Sequence, residues 1–136
     1  MSKASLVSVV VLVVLVGAVL VVLAQQGKPI GTDLSVVGKG KPSLVLAYEN
    51  FSPAGAEALD RLRQVRADYE DRIAFVVADL GTPKGRAFAR RHSLQNGVAV
   101  FLTPSGDPAG ITGVPDDQRA LRRQLDLKLA RLGPGG

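Results

Sequence analysis

The chain has 136 residues, enough for one modest domain, and carries 17 Lys and Arg against 12 Asp and Glu, a formal net charge of +5. With no cysteine it forms no disulfide, thiolate metal site or thiol nucleophile of its own, and the single histidine, His92, has no second beside it to make a zinc site. Aromatic residues are 4% of the chain, too few for a stacking platform on nucleic acid, and the basic residues of Arg61/Arg63/Arg66, Arg90/Arg91 and Arg122/Arg123 read as solvated helix surface.

From Ala4 to Ala24 there is no charge, and Leu6 to Leu23 is almost wholly Val and Leu. As a helix at about 1.5 Å per residue this run is about 30 Å long, the thickness of a bilayer's hydrocarbon core, and it is apolar on every side. In lipid every backbone amide must bond internally, which makes a helix the available conformation even for Val. The reading preferred is a single-pass signal-anchor over residues 1–24, in contact with the bilayer through residues 6–23. The competing reading is a signal peptide cut after Ala24, but the run exceeds the usual apolar core of such peptides. Lys3 lies on one side of the run and Lys28, Lys39 and Lys41 on the other, so the charge rule leaves orientation open.

Residues 25–41, rich in Gly, Lys and Pro, read as a juxtamembrane linker, with one short element over Asp33–Val37. Ser43–Tyr48 is a short apolar run typical of a buried strand. Ser52 and Pro53 form a cap-plus-proline helix start, followed by Leu59, Leu62, Val65 and Tyr69 at helical spacing. Ile73–Ala78 predicts a second strand. Thr82–Pro83 predicts a second helix, with Ala87 and Phe88 on its apolar side. Val98–Leu102 predicts a third strand, Pro104–Pro108 a hairpin turn, and Ala109–Gly113 the returning strand. Asp116 or Asp117 caps a last helix whose apolar line is Leu121, Leu125, Leu129 and Leu132, and residues 133–136 are a tail. The order β-α-β-α-β-β-α implies an α/β domain over residues 42–132, a central sheet with helices on its faces.

This order resembles the thioredoxin fold. In thioredoxins an apolar strand runs through an aromatic-rich turn into Cys-Gly-Pro-Cys at the start of a long helix that ends near a Tyr. Leu44 to Tyr69 is similar to that block without a gap, with Phe51 in place of the Trp and Ser52-Pro53-Ala54-Gly55 in place of the motif. Ile73 to Asp79 resembles the next strand, Leu94 to Leu102 the cis-proline segment and its strand, and Phe101 to Asp107 the hairpin. The resemblance implies a three-layer α/β/α domain outside the cytoplasm, on the periplasmic side in a bacterium.

The departures decide the expected chemistry. Ser52 stands at the attacking position, Gly55 at the resolving one, Leu46 at that of the proton-carrying Asp, and Val98 at that of the cis-proline. A serine hydroxyl is un-ionised near neutral pH and no histidine is evident to activate it, so Ser52 reads as a helix cap rather than a nucleophile. A non-proline cis bond costs about 3 kcal/mol, so the Asn96-Gly97-Val98 loop is expected to be trans. No catalytic residue, metal or cofactor is expected. Asp79 with Asp107, and Asp116 with Asp117, read as turn and cap residues; Gly38–Pro42 lacks the spacing of a phosphate loop. His92 reads as a surface residue whose charge suits a helix C-terminus.

The resemblance does point to a binding surface. Tyr48, Glu49, Asn50, Phe51 and Ser52 would sit beside Asn96, Gly97 and Val98, where thioredoxins bind extended peptide. Against this stands the reading that Tyr48 and Phe51 pack on the helix ends. The function expected is a non-catalytic, membrane-anchored accessory subunit or assembly factor of a membrane protein complex. It would take neither nucleic acid nor a small-molecule substrate. A released or tethered chaperone-like peptide binder and a degenerate member of a thiol–disulfide oxidoreductase system are the alternatives.

Overall fold

The computed structural model describes residues 3–25 and 29–132; along the first helix, side chains are described at Lys3 and from Ser5 to Leu20. That helix, α1, runs Lys3–Gln25. Its described large apolar side chains, Leu6 to Leu20, are each 50–65% exposed, so nothing among the described residues covers them. Among the described residues no helix is long and apolar enough to cross a membrane. The expected span over 6–23 runs past Leu20, and the side chains at the Ala24–Gln25 cleavage point, Lys28 and the tail at 133–136 lie outside the described residues.

The remaining elements are β1 (Ser43–Tyr48), α2 (Pro53–Tyr69), β2 (Ala74–Asp79), α3 (Pro83–Arg91), β3 (Val98–Leu102), β4 (Pro108–Gly113) and α4 (Gln118–Leu132). They form one four-stranded sheet in the order β2-β1-β3-β4. β1 runs parallel to β2, and the other two pairings are antiparallel. Alternate strand residues point to opposite faces. One face, with Leu44, Leu46, Phe75, Val77, Ala99 and Phe101, packs against Leu59, Leu62, Val65 and Tyr69 of α2 and Leu121 and Leu125 of α4. The other, with Val45, Ala47, Val76, Ala78, Val100 and Leu102, packs against Phe88 and Ala89 of α3 and against Leu94. Burial of both faces explains why these strands read as continuous apolar runs rather than as alternating ones. The expected α/β/α layering is therefore present.

Several boundaries move for local reasons. Ile73 is fully buried but stands before β2, because its amide closes the end of α2 on the Tyr69 carbonyl at 2.7 Å. In α3 the buried residues are Gly85, Phe88 and Ala89, while Ala87 is half-buried. Gly85 lets the first turn of α3 lie on the end of β2: a Cβ there would collide with the backbone of Asp79. Leu121 and Leu125 are buried as expected, whereas Leu129 and Leu132 are only partly covered.

Residues 29–41, read as linker, lie against the domain. Ile30 is buried in the α2-side core, the Gly31 carbonyl accepts the Val77 amide at 2.9 Å, and Leu34 and Val37 pack on the α3-side core. The segment thus crosses the outer edge of β2, whose backbone amides need acceptors that β1 does not supply. A single 3-10 turn, Leu34–Val36, is capped by Asp33, which accepts the Ser35 amide at 3.0 Å.

Candidate functional site at the start of α2

β1 delivers the chain to the upper end of the sheet at Tyr48. This ring is half-buried and packs on the α2-side core, and its carbonyl accepts the Leu80 amide at 2.9 Å. The chain then turns through Glu49, Asn50 and Phe51, all exposed, and the Ser52 amide closes the turn on the Glu49 carbonyl at 3.3 Å. Phe51 holds the third position of that turn at φ +67°, in the left-handed region, where an L-residue with a side chain is disfavoured by about 1–2 kcal/mol. Its side chain is as exposed as in an extended peptide, at 102%. The two aromatics therefore part company: Tyr48 packs and Phe51 does not.

Asn96, in the loop before β3, fastens this turn. Its Oδ1 accepts the Glu49 amide at 2.9 Å, and its Nδ2 donates to the Ser52 hydroxyl at 2.6 Å. Gly97, at φ +84°, gives its amide to the Ala47 carbonyl at 2.8 Å, and Val98 is half-buried at the start of β3. No cis peptide occurs among the described residues, in line with the trans loop expected at Val98. The two segments named from the sequence, 48–52 and 96–98, are thus brought together.

Ser52 occupies the N-cap position, extended at φ −93° and ψ 121°, and its carbonyl accepts the Ala56 amide at 3.0 Å. Its hydroxyl, however, makes no capping bond; the carboxamide of Asn96 claims it instead. That amide donates and cannot take the hydroxyl's proton, so this contact does not make Ser52 a nucleophile. A Cβ on Gly55 would lie 2.5 Å from Asn96 Oδ1 and 3.1 Å from the Tyr48 ring. The carboxamide of Asn96 therefore fills the space that a side chain at position 55 would need. Nothing in the local sequence signals this exchange, because it joins positions 41 apart in the chain (96 against 55).

The other candidates resolve into structural roles. His92 caps α3 with its amide on the Phe88 carbonyl at 3.1 Å, and its ring lies 4.4 Å from that of Phe88. Burial, with Arg91 adding to it, lowers its pKa, so it favours the neutral form rather than the expected charge at the helix end. Asp79 accepts the Gly81 amide at 2.8 Å, Asp107 the Ser105 hydroxyl at 3.1 Å, and Asp117 the Arg119 amide at 3.2 Å. Asp116 pairs with Arg61 at 2.8 Å. Among the described residues no group of three His, Cys, Asp or Glu is placed to hold a metal.

No protein-family model matches this sequence, and no curated protein matches it. Among solved structures, the chain is similar to an uncharacterised thioredoxin-like protein from Clostridium perfringens, with a TM-score of 0.63 over 79% of this chain and 83% of that one. The fold is thioredoxin-like. At 18% identity the likeness extends to the path of the backbone and not to an activity. Within that fold, the Phe51 turn and the Asn96 loop flank the N-terminus of α2, the place where thioredoxins carry their dithiol.

Proposed function

We propose that this protein is a membrane-anchored, redox-inactive thioredoxin-like module. It binds a membrane protein partner, as an accessory subunit or assembly factor, through Tyr48–Ser52 and Asn96–Val98. The observation that carries this reading is Phe51: a fully exposed aromatic on left-handed backbone, with its turn braced from the neighbouring loop by Asn96. A large apolar side chain held in water at a backbone cost is explained if a partner covers it. The absence of every thiol supports binding rather than redox chemistry as the use of this surface. The Val/Leu run over 6–23 supports attachment to a bilayer, with the domain on the extracytoplasmic side.

Extraction of native membranes in mild detergent, followed by mass spectrometry of what travels with the chain, tests the reading. We expect companions in fixed ratio with the native chain, and their loss in Phe51→Ala with α1 still in the membrane. A chain that migrates alone, or companions that ignore Phe51→Ala, would reject this surface as the partner site. Insulin reduction above a no-protein control would return the oxidoreductase alternative.

A further inference from the structure

We propose that the Asn96–Gly97 pair is a site of spontaneous covalent modification, held back by the same hydrogen bonds that brace the Phe51 turn. The chain has two asparagines, Asn50 and Asn96. An asparagine loses its carboxamide when the following backbone nitrogen attacks its Cγ: a C–N bond closes a five-membered imide, and ammonia leaves. Water then opens the ring at either carbonyl, giving aspartate or isoaspartate. The residue after the asparagine sets the rate. Phe51 follows Asn50 and crowds the attacking nitrogen, whereas Gly97 has no Cβ to do so. Asn96–Gly97 is the one Asn-Gly pair in the chain.

In the fold, both groups that this ring closure needs are engaged. The Gly97 amide donates to the Ala47 carbonyl at 2.8 Å. The carboxamide is fixed at both ends, Oδ1 accepting the Glu49 amide at 2.9 Å and Nδ2 donating to the Ser52 hydroxyl at 2.6 Å. Attack requires the nitrogen to leave Ala47 and the carboxamide to swing out of the turn, so it proceeds from a locally opened loop. Three bonds, each favouring the closed loop about fivefold, put the native rate on the order of a hundredfold below that of the unfolded chain. The two products differ. In aspartate the carboxylate still accepts from Glu49, takes the Ser52 hydroxyl as a donor, and stands at the N-terminus of α2, where negative charge is favoured. In isoaspartate the former carboxamide carbon becomes the main-chain link to Gly97. The side-chain brace is then gone, and the Phe51 turn is released. Loss of a partner by this route rests on the binding reading above; the modification itself does not.

The test is to age the full chain in detergent, in warm and mildly alkaline buffer, with and without guanidinium chloride. Trypsin releases His92–Arg119, in which Asn96 is the sole asparagine, and mass spectrometry reads the exchange of amide for acid. We expect conversion in denaturant to be on the order of a hundredfold faster than in the native chain. Ser52→Ala removes the Nδ2 contact and no capping bond, so it should speed the native reaction about fivefold and leave the denatured one unchanged. Equal rates with and without denaturant, or a native rate that ignores Ser52→Ala, would overturn the proposal. The comparison in denaturant uses the unaltered chain and stays decisive if the variant is misfolded. Aged chain carrying isoaspartate should melt below the native chain, and Asn96→Asp should melt near it. Isoaspartate that leaves the melt unchanged would overturn the release of the turn. Companions lost on ageing but kept by Asn96→Asp extend the effect to the partner. Absence of companions at any age sinks the binding reading alone and leaves the modification site standing.

Discussion

Phe51 is the residue whose two properties pull in opposite directions. Its left-handed backbone disfavours any side chain, and its exposed ring gains nothing from the fold. Glycine adopts this conformation freely, although it also gains entropy in the unfolded chain. We therefore expect Phe51→Gly to hold or raise thermal stability, by up to about 1 kcal/mol, while partner capture is lost. Thermal melts beside the co-purification assay check this, and a large fall in stability would mean the ring is structural. Two other side chains tie stability to pH. Tyr69 is buried and donates to Asp126 at 2.7 Å, and burial, then this bond, raises its pKa above the ordinary 10.0. The folded state thus holds this proton longer than the unfolded chain does. The contribution is complete below pH 10 and is lost as pH rises through the folded value. His92 works from the other side: its lowered pKa means the unfolded chain takes the proton first, so stability is lost as pH falls below the ordinary 6.5. Denaturant midpoints across pH should show both flanks. Tyr69→Phe should remove the alkaline one at a cost of about 1 kcal/mol, and His92→Asn should flatten the acid one.

At the scale of elements, glycines decide how closely helices approach their neighbours. Gly85 puts α3 against the end of β2, and a methyl group there meets the Asp79 backbone, which has little room to retreat. Gly85→Ala should cost several kcal/mol, on the order of other overpacked sites, as read from urea denaturation. At Gly55 the obstacle is a side chain, the carboxamide of Asn96, which can be shortened. Gly55→Ala should destabilise, Asn96→Ala should cost about 1–2 kcal/mol by freeing the Glu49 amide and the Ser52 hydroxyl, and the pair should cost less than the sum. A double-mutant cycle with additive effects would show that the two positions do not share that space. The elements themselves were legible in the sequence because both sheet faces are buried and the starts of α2 and α3 carry Pro. The start of β1 and both ends of β3 stand where the apolar runs place them. What the runs do not show is which residue near an element's end closes a turn, as Ile73 does, or which small residue of α3 faces inward.

At the scale of the molecule, the two cores enclose the sheet without any contribution from the described side chains of α1 and include Ile30, Leu34 and Val37 from the segment before β1. A chain truncated to residues 29–136 should therefore melt cooperatively near the midpoint of the full protein, whereas one truncated to 42–136 should lose several degrees or fail to fold. Removing Ile30 and the strand-edge bond at Gly31 together exposes apolar core and an unpaired amide. Calorimetry of the two truncations separates these outcomes.

Composition and pattern alone determined three things: an uncharged run of Val and Leu before the domain, the order of strands and helices, and the absence of any thiol. Each depends on residues near one another in the chain, or on a residue type being missing altogether, so no fold is needed to see it. Tertiary structure alone decided that Phe51 stands free while Tyr48 packs, that Asn96 takes the Ser52 hydroxyl and the room beside Gly55, and that the segment before β1 crosses the edge of β2 to reach α3. Those outcomes turn on contacts between distant positions, on one backbone angle and on which strand edge lacks a partner, quantities that exist only once the sheet has formed.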